Sequence, residues 1–452
     1  MIRFLKYSLL TVLLCLATIA DAQTQNYREM HKVKKGETIF GIAKKYEISI
    51  EDLIKANPDM NSVGYELKKG DYIFIPYPTG KPATTTSKDK SAQQNKTVAA
   101  KTNTVKVGIM LPLHNVDGDG RRMVEYYRGI LMGCDKLKKE GINIDIKAWN
   151  VAIDTDINQT LSQQGAIDCD VIFGPLYSKQ VPALSEFTKK HGIKLVIPFS
   201  ITGNDVAKNP NIFQVYQSPE QFYGEVVKQF TTRFSGSHVV VVDCNDKQSD
   251  KGVFTFTLRK ALANKGMTCS ITNITNSDES FAKAFSTTKP NIVVLNTARS
   301  PELNAVIAKL DKYKATMPSV KVSLFGYTEW LMYAKYNMDK FCKYDTCVPS
   351  HFYYNPLSTA TKDFSTEYLK KFDQSMMDYM PRFAITGYDH AMFFIRGISK
   401  QGKLFNGTEP DAKALQAQLK FRKADGQNSG MQNHNLMFVH YNTNKTISII
   451  QF

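Results

Sequence analysis

The 452-residue chain is short of the features that mark an enzyme or a membrane-spanning protein. After residue 22, no run stays apolar for the roughly 18 positions that a helical bilayer span needs. The eight histidines never fall into HExxH or another metal-ligand spacing, and no GxSxG elbow occurs. Seven cysteines include no CxxC pair and no zinc pattern. The 42 acidic side chains form no recognisable muramidase or transglycosylase pair. Asp117-Gly-Asp119-Gly lacks the further oxygen ligands and the distal bidentate Glu of a calcium loop, and reads as a flexible turn. Catalysis, a bound metal and a cofactor are therefore not expected. Concentrated positive charge is missing as well. The net charge of +16 divides as +1 before Tyr27, +1 over 27–78, +4 over 79–104 and +10 beyond. A nucleic-acid surface needs a basic face or interleaved aromatics; a diffuse solvated surface needs neither.

What is present begins with an export signal. Arg3 and Lys6 precede the apolar Ser8–Ala20 run, and Ala20-Asp-Ala22 precedes Gln23. Residues 1–22 are expected to be removed. Cys15 does not make this a lipoprotein signal, because it lies inside the apolar run behind Leu14. The mature chain is expected in the periplasm or cell envelope. Thr79–Thr104 is rich in Thr, Ser, Lys, Gln and Ala. It cannot bury enough apolar surface to offset its ordering entropy and reads as a disordered linker.

Between these lies a compact pattern, residues 27–78. A short strand, His31–Lys34, leads into Gly36-Glu-Thr38. Ile39, Ile42, Ala43 and Tyr46 then recur at helical spacing. A second helix carries Ile50, Leu53 and Ile54 behind the capping run Ser49-Ile-Glu-Asp52. Asn57-Pro58 stops it, Leu67–Gly70 turns, and Tyr72–Ile75 closes as a strand. This βααβ order resembles the LysM module end to end. The resemblance implies that peptidoglycan glycan strands lie in a shallow groove. The groove residues would be Gly36, Glu37, Thr38, Ile39 and Phe40 on one wall, and Asn57, Pro58, Asp59 and Met60 on the other.

From Val105 the pattern alternates strand and helix. Strands are expected at Val105–Leu111, Asn143–Trp149, Asp170–Phe173 and Leu195–Pro198, with helices at Arg121–Lys139, Ile157–Ala166 and Val181–His191. A second series has strands at His238–Asp243, Met267–Ile271, Asn291–Asn296 and Lys321–Phe325. Continuous apolar strands such as those at 239–242 suit parallel sheets covered on both faces. Asn435–Tyr441 and Thr446–Phe452 flank Asn442-Thr-Asn444 as a hairpin. The expected class is α/β, with two Rossmann-like parallel sheets.

The runs at 106–113, 171–200, 211–230 and 385–398 look like type I periplasmic binding proteins of the leucine/isoleucine/valine-binding kind. The segments FGPLYS and QVYQSPEQ are also similar to the body of the lipoprotein activators of penicillin-binding proteins. The resemblance implies a two-lobed domain over 105–452. Crossovers would fall near Gln214–Gln217, Tyr353–Asn355 and Lys423–Gly430, giving lobe 1 about 105–216 and 356–424, and lobe 2 about 217–355 and 425–452. Ligands of such folds sit between the lobes. The inter-lobe residues implied here are Tyr177, Ser178, Ser200, Thr202, Tyr216 and Glu329, with Glu329 the carboxylate that would meet a ligand ammonium. The transport pattern is incomplete: Ile201 stands where a Thr is expected, and no Tyr-Gly occurs over Asn245–Lys251.

Cys134 and Cys169 read as buried thiols. Cys342 and Cys347 flank four residues and are either bridged in an oxidising compartment or free. The resulting expectation is a non-catalytic envelope protein. It holds peptidoglycan through LysM and uses its two-lobed body to bind a partner or ligand, as scaffold or regulator of wall synthesis. The alternative is a solute receptor delivering amino acids or related molecules to an ABC importer.

Overall fold

A computed structural model describes residues 28–57, 60, 67–76, 104–199 and 203–452. The export signal, Pro58, Asp59, the linker before Thr104 and Ser200–Thr202 lie outside the described residues.

The small N-terminal unit is β1 (Glu29–Lys32), α1 (Ile39–Lys45), α2 (Ile50–Ala56) and β2 (Tyr72–Ile75). The Thr38 and Ser49 hydroxyls cap the two helices by accepting from Gly41 N and Asp52 N. The strands pair antiparallel, Met30 opposite Phe74 and His31 opposite Ile73. Ile73 and Ile75 turn inward to Val33, Ile42, Ala43 and Leu53. Alternation then puts Met30, Tyr72 and Phe74 on the other face.

The body follows. The first series is β3 (Val105–Leu111), α3 (Gly118–Lys139), β4 (Ile144–Asn150), α4 (Ile157–Leu161), β5 (Val171–Phe173), α5 (Val181–His191), β6 (Lys194–Ile197) and β7 (Ile212–Gln214). The second is α6 (Pro219–Arg233), β8 (His238–Asp243), α7 (Lys251–Asn264), β9 (Cys269–Asn273), α8 (Asp278–Ala282), β10 (Asn291–Leu295), α9 (Ser300–Thr316), β11 (Val322–Phe325), α10 (Trp330–Lys343) and β12 (Thr346–Ser350). Then come α11 (Thr359–Phe372), α12 (Phe383–Gln401), β13 (Phe421–Lys423), β14 (Met431–Asn433), β15 (Met437–Tyr441) and β16 (Ile447–Gln451). Two seven-stranded sheets result, ordered β13-β14-β7-β6-β5-β3-β4 and β16-β15-β12-β11-β10-β8-β9. Most neighbours are parallel, with antiparallel hairpins at the β13 and β16 edges. This is the α/β, two-sheet type I periplasmic-binding fold beside a small βααβ unit.

Several expectations need correction. The charged run at 117–120 is not a loose turn: Asp117 Oδ1 accepts from Gly120 N at 2.7 Å and starts α3. β9 begins two residues late because Met267 N is spent on Leu262 O, closing the end of α7. The third inter-sheet crossing lies beyond Asn433, not at Lys423–Gly430. That stretch is the turn of the β13–β14 hairpin, and β14 pairs with β7 of the first sheet.

The pairing considered for Cys342 and Cys347 is absent; both are free and buried. They belong to opposite faces of the second sheet. Cys347 registers with Phe325, which meets Phe230 of α6 and Phe234 at its C-cap, edge to face. Cys342 lies on α10, whose Phe341 packs on Tyr441 of the other face. Cys134 and Cys169 are buried free thiols, as expected.

Lobe geometry rests on close backbone approach. A Cβ on Gly129 of α3 would stand 1.8 Å from Ala384 O, and one on Gly387 of α12 would stand 2.0 Å from Tyr126 O. These two glycines let the helices touch, and α12 fixes the segment before it, Asp373–Arg382, at the rim of the space between the sheets.

Candidate functional sites

The groove of the small unit divides into supports and an open edge. Gly36 has φ +84, which a residue with a Cβ adopts only with strain. Its neighbour Glu37 points back into the unit. The carboxylate accepts from Lys34 N and contacts His31 Nε2, both at 2.7 Å. Partial burial opposes the charge, but these two bonds hold Glu37 below the usual carboxylate value. Thr38 is committed to its cap and Ile39 packs on the core. Phe40 is different: it is 64% exposed.

On the opposite wall, Asn57 is buried. It donates to Leu53 O (2.8 Å) and Phe74 O (2.7 Å) and accepts from Phe74 N (2.7 Å), tying the end of α2 to β2. Met60 is buried in the same core. Glu37, Asn57 and Met60 therefore have structural duties, and Gly36, Thr38 and Phe40 are the exposed part of the described wall. Pro58 and Asp59 lie outside the described residues.

The second site lies between the sheets, at a cavity of about 280 Å³. Tyr216 and Glu329 both line it, as do Tyr223, Lys251, His351 and Met380. The helix α7, where Tyr-Gly was missing, opens instead on Lys251-Gly252. Its ammonium contacts Glu329 Oε1 at 2.8 Å and donates to the Tyr223 hydroxyl at 3.0 Å. The rings of Tyr223 and Tyr327 each lie 5.5 Å from it. Only 9% of the Lys251 side chain is exposed. Burial works against its charge, yet the carboxylate and phenol outweigh burial and hold the lysine well above its ordinary value.

Glu329, expected to meet a ligand ammonium, already meets a lysine of the chain through Oε1, while its Oε2 is buried without a hydrogen-bond partner among the described residues. His351, packed against Phe222 and Phe352, is pushed down to about 4 by burial and stays neutral. Met380 comes from the Asp373–Arg382 segment and packs against the core of the second lobe.

The remaining expected residues stand apart. Tyr177 donates to Asp119 Oδ2 at 3.3 Å, and Asp119 pairs with Arg122. Burial and the Asp119 charge push the Tyr177 phenol up to about 12. Ser178 begins the short turn before α5. Neither Tyr177 nor Ser178 lines the cavity, and Ser200 and Thr202 lie outside the described residues. Sequence reasoning missed Lys251, Tyr223 and Met380. Only the missing Tyr-Gly pointed toward Lys251; one lysine among 58 basic residues gives no other signal.

Comparison with known proteins adds the following. A family model described as periplasmic binding protein matches residues 104–436, and a LysM domain model matches residues 31–76. Among solved structures, a branched-chain amino acid ABC transporter protein of Rhodospirillum rubrum superposes with TM-score 0.53. Identity is 13%, over 77% of this chain and all of that one. LpoA of Haemophilus influenzae gives TM-score 0.49 at 12% identity, over 78% of this chain and 59% of that one. Comparison with curated proteins gives no match.

Proposed function

This chain belongs to the periplasmic binding protein family, and on that premise we propose that it is a non-catalytic protein held at the cell wall by its LysM module, whose two-lobed body serves as scaffold or regulator of wall synthesis. The families are of binding proteins. They imply an extracytoplasmic envelope location and, for LysM, peptidoglycan as ligand. Among the described residues, no helix is long and apolar enough to cross a membrane.

The observation that carries the choice of scaffold over receptor is the Lys251–Glu329 pair at 2.8 Å. A cleft that captures a zwitterion must offer a carboxylate and a donor set to its two charges, because ligand charges buried without partners are costly. Here the carboxylate is already neutralised from within. The body then works through a neighbouring surface that shares Met332, Phe352 and Met380 with the cleft. A cavity of about 610 Å³ beside α10 is bordered by exposed Met332, Met338 and Tyr379, a surface suited to a protein partner.

The discriminating experiment is a thermal-shift screen of the mature chain with each standard amino acid. A ligand that binds only the folded state raises stability with the logarithm of its concentration over Kd. No saturable shift is expected. A shift with one amino acid that Ser178→Ala abolishes would replace this reading with that of an importer receptor. A parallel sedimentation with purified sacculi should carry down the full chain but not residues 105–452.

A further inference from the structure

The module is seated on the first lobe through the sheet face away from its own helices. Met30 belongs to the lobe's core cluster, with Tyr72 and Phe74 packed against that cluster. Tyr127 of α3 donates to Arg28 O at 2.5 Å, Tyr72 donates to Gln374 Oε1 at 3.3 Å, and Lys34 pairs with Asp373 at 3.2 Å. The seam is not sealed. A cavity of about 220 Å³ remains in it, walled by Met30 and Tyr72 of the module and by a stripe of α3 that carries Arg121, Glu125 and Arg128. These three recur at i, i+4 and i+7 and so share one helix face.

Arg128 is the anomaly. It is 4% exposed, and among the described residues it forms no ion pair. Its guanidinium lies 5.1 Å from the ring of Phe372, beside the phenol of Tyr368, both uncharged neighbours. The nearby acid, Glu125, is turned elsewhere and accepts from Met377 N at 2.7 Å and Ala384 N at 3.4 Å. Glu125 attracts Arg128 without touching it, so the buried guanidinium faces the cavity with donors that no carboxylate directly meets, an arrangement that is costly unless an anion joins it.

We propose that this seam binds a carboxylate, with Arg128 as its buried cation, Arg121 at its mouth, and the module as its second wall. The planar guanidinium fork matches a carboxylate, and the small, partly apolar cavity suits a single terminal group. Resting on the wall-binding reading, the source we assign is the carboxylate of the peptides that branch from peptidoglycan. The glycan groove and the seam would then read two chemical features of one polymer.

The test is calorimetry of the full mature chain with a soluble disaccharide-peptide released from sacculi, and with the same compound after amidation of its carboxyls. The acid form should bind at least about ten-fold more tightly, the scale of one charge-assisted pair. Arg128→Gln should abolish that ratio by weakening the acid form. Arg121→Gln, at an exposed position with no packing role, should reduce the ratio even if Arg128→Gln proves poorly folded. Equal binding of acid and amide, a ratio that survives both substitutions, or no binding of either form would overturn the proposal. Sedimentation with sacculi reports separately on the wall-binding reading: a chain that still pellets while acid and amide bind equally loses only the seam.

Discussion

The proposed glycan groove and the inter-lobe cleft carry their polar groups in opposite states. In the groove, Glu37, Thr38 and Asn57 are spent on holding the loop, and an aromatic ring, Phe40, is left standing in solvent. In the cleft, Lys251 and Glu329 meet each other with Tyr223 and Tyr327 packed around them, and Tyr216 is the aromatic left exposed. An unfilled recognition surface exposes what it needs and rigidifies what supports it. A cleft whose lysine already meets its glutamate has replaced the ligand with a side chain. The family fold alone does not say which site is in use; the pairing of Lys251 is what favours the wall-binding reading proposed here.

The comparison can be broken at its supports. Asn57→Ala removes three bonds and strands Phe74 N at the edge of the small core. It should destabilise the module by about 2–3 kcal/mol. A unit this small has little stability to lose, so hydrogen exchange of 28–76 should rise sharply, and by more than that of the body on which it is seated. Slow exchange in the variant would mean that Asn57 is not the staple described here.

Next in size is the cleft. Glu329→Gln leaves the Lys251 ammonium, 9% exposed, with only the exposed Asp250 carboxylate at 3.3 Å. Because Glu329 itself is 38% exposed, solvent screens part of the loss, and about 1–2 kcal/mol is expected in urea unfolding of the body. If the variant is as stable as the parent and gains amino-acid binding, the pair was a removable stand-in and the contrast between the two sites fails.

A pH measurement sharpens the same contrast. His351 is held near 4 when folded, whereas an unfolded histidine titrates near 6.5. Between those values the unfolded chain binds the extra proton, so this share of stability is present above 6.5 and is lost as pH falls toward 4. Glu125 and Asp389, raised to about 7 by burial, act in the opposite sense: their share is present at low pH and is lost as pH rises through 7. Comparing His351→Phe with the parent isolates the histidine. From pH 7 to 5.5 the variant should lose about 1 kcal/mol less. Parallel losses would show that the His351 ring is not shielded.

The smallest effect concerns the cysteines. Six free thiols should be counted on unfolded mature chain, and Cys342→Ser should shift stability of the cleft's second lobe equally with and without reductant. Four thiols would mean that the two sheet faces do not separate Cys342 from Cys347.

The sequence carried most of the architecture because most of it is periodic. Val105–Leu111, Val181–His191 and His238–Asp243 have the bounds their apolar patterns imply. Short strands without a pattern were illegible. β12 contains Pro349 and polar neighbours, and β13 and β14 span three residues each around a Gly- and Asn-rich turn that reads as a linker. The sites were legible only as addresses. Pairing across long separations, 78 positions for Lys251 and Glu329, leaves no local trace. Exposure does not either, so Phe40 and Met60, both apolar groove candidates, part company only in three dimensions.

The central claim, that the open site binds and the filled one does not, is tested most directly by sedimenting the intact mature chain with purified sacculi beside Phe40→Ala. Phe40 is exposed and makes no core contact, so the substitution should leave folding within ~0.5 kcal/mol of the parent. The account predicts that the parent pellets and that Phe40→Ala stays largely in the supernatant, with affinity reduced by roughly ten-fold or more. Equal pelleting of the two proteins would contradict it.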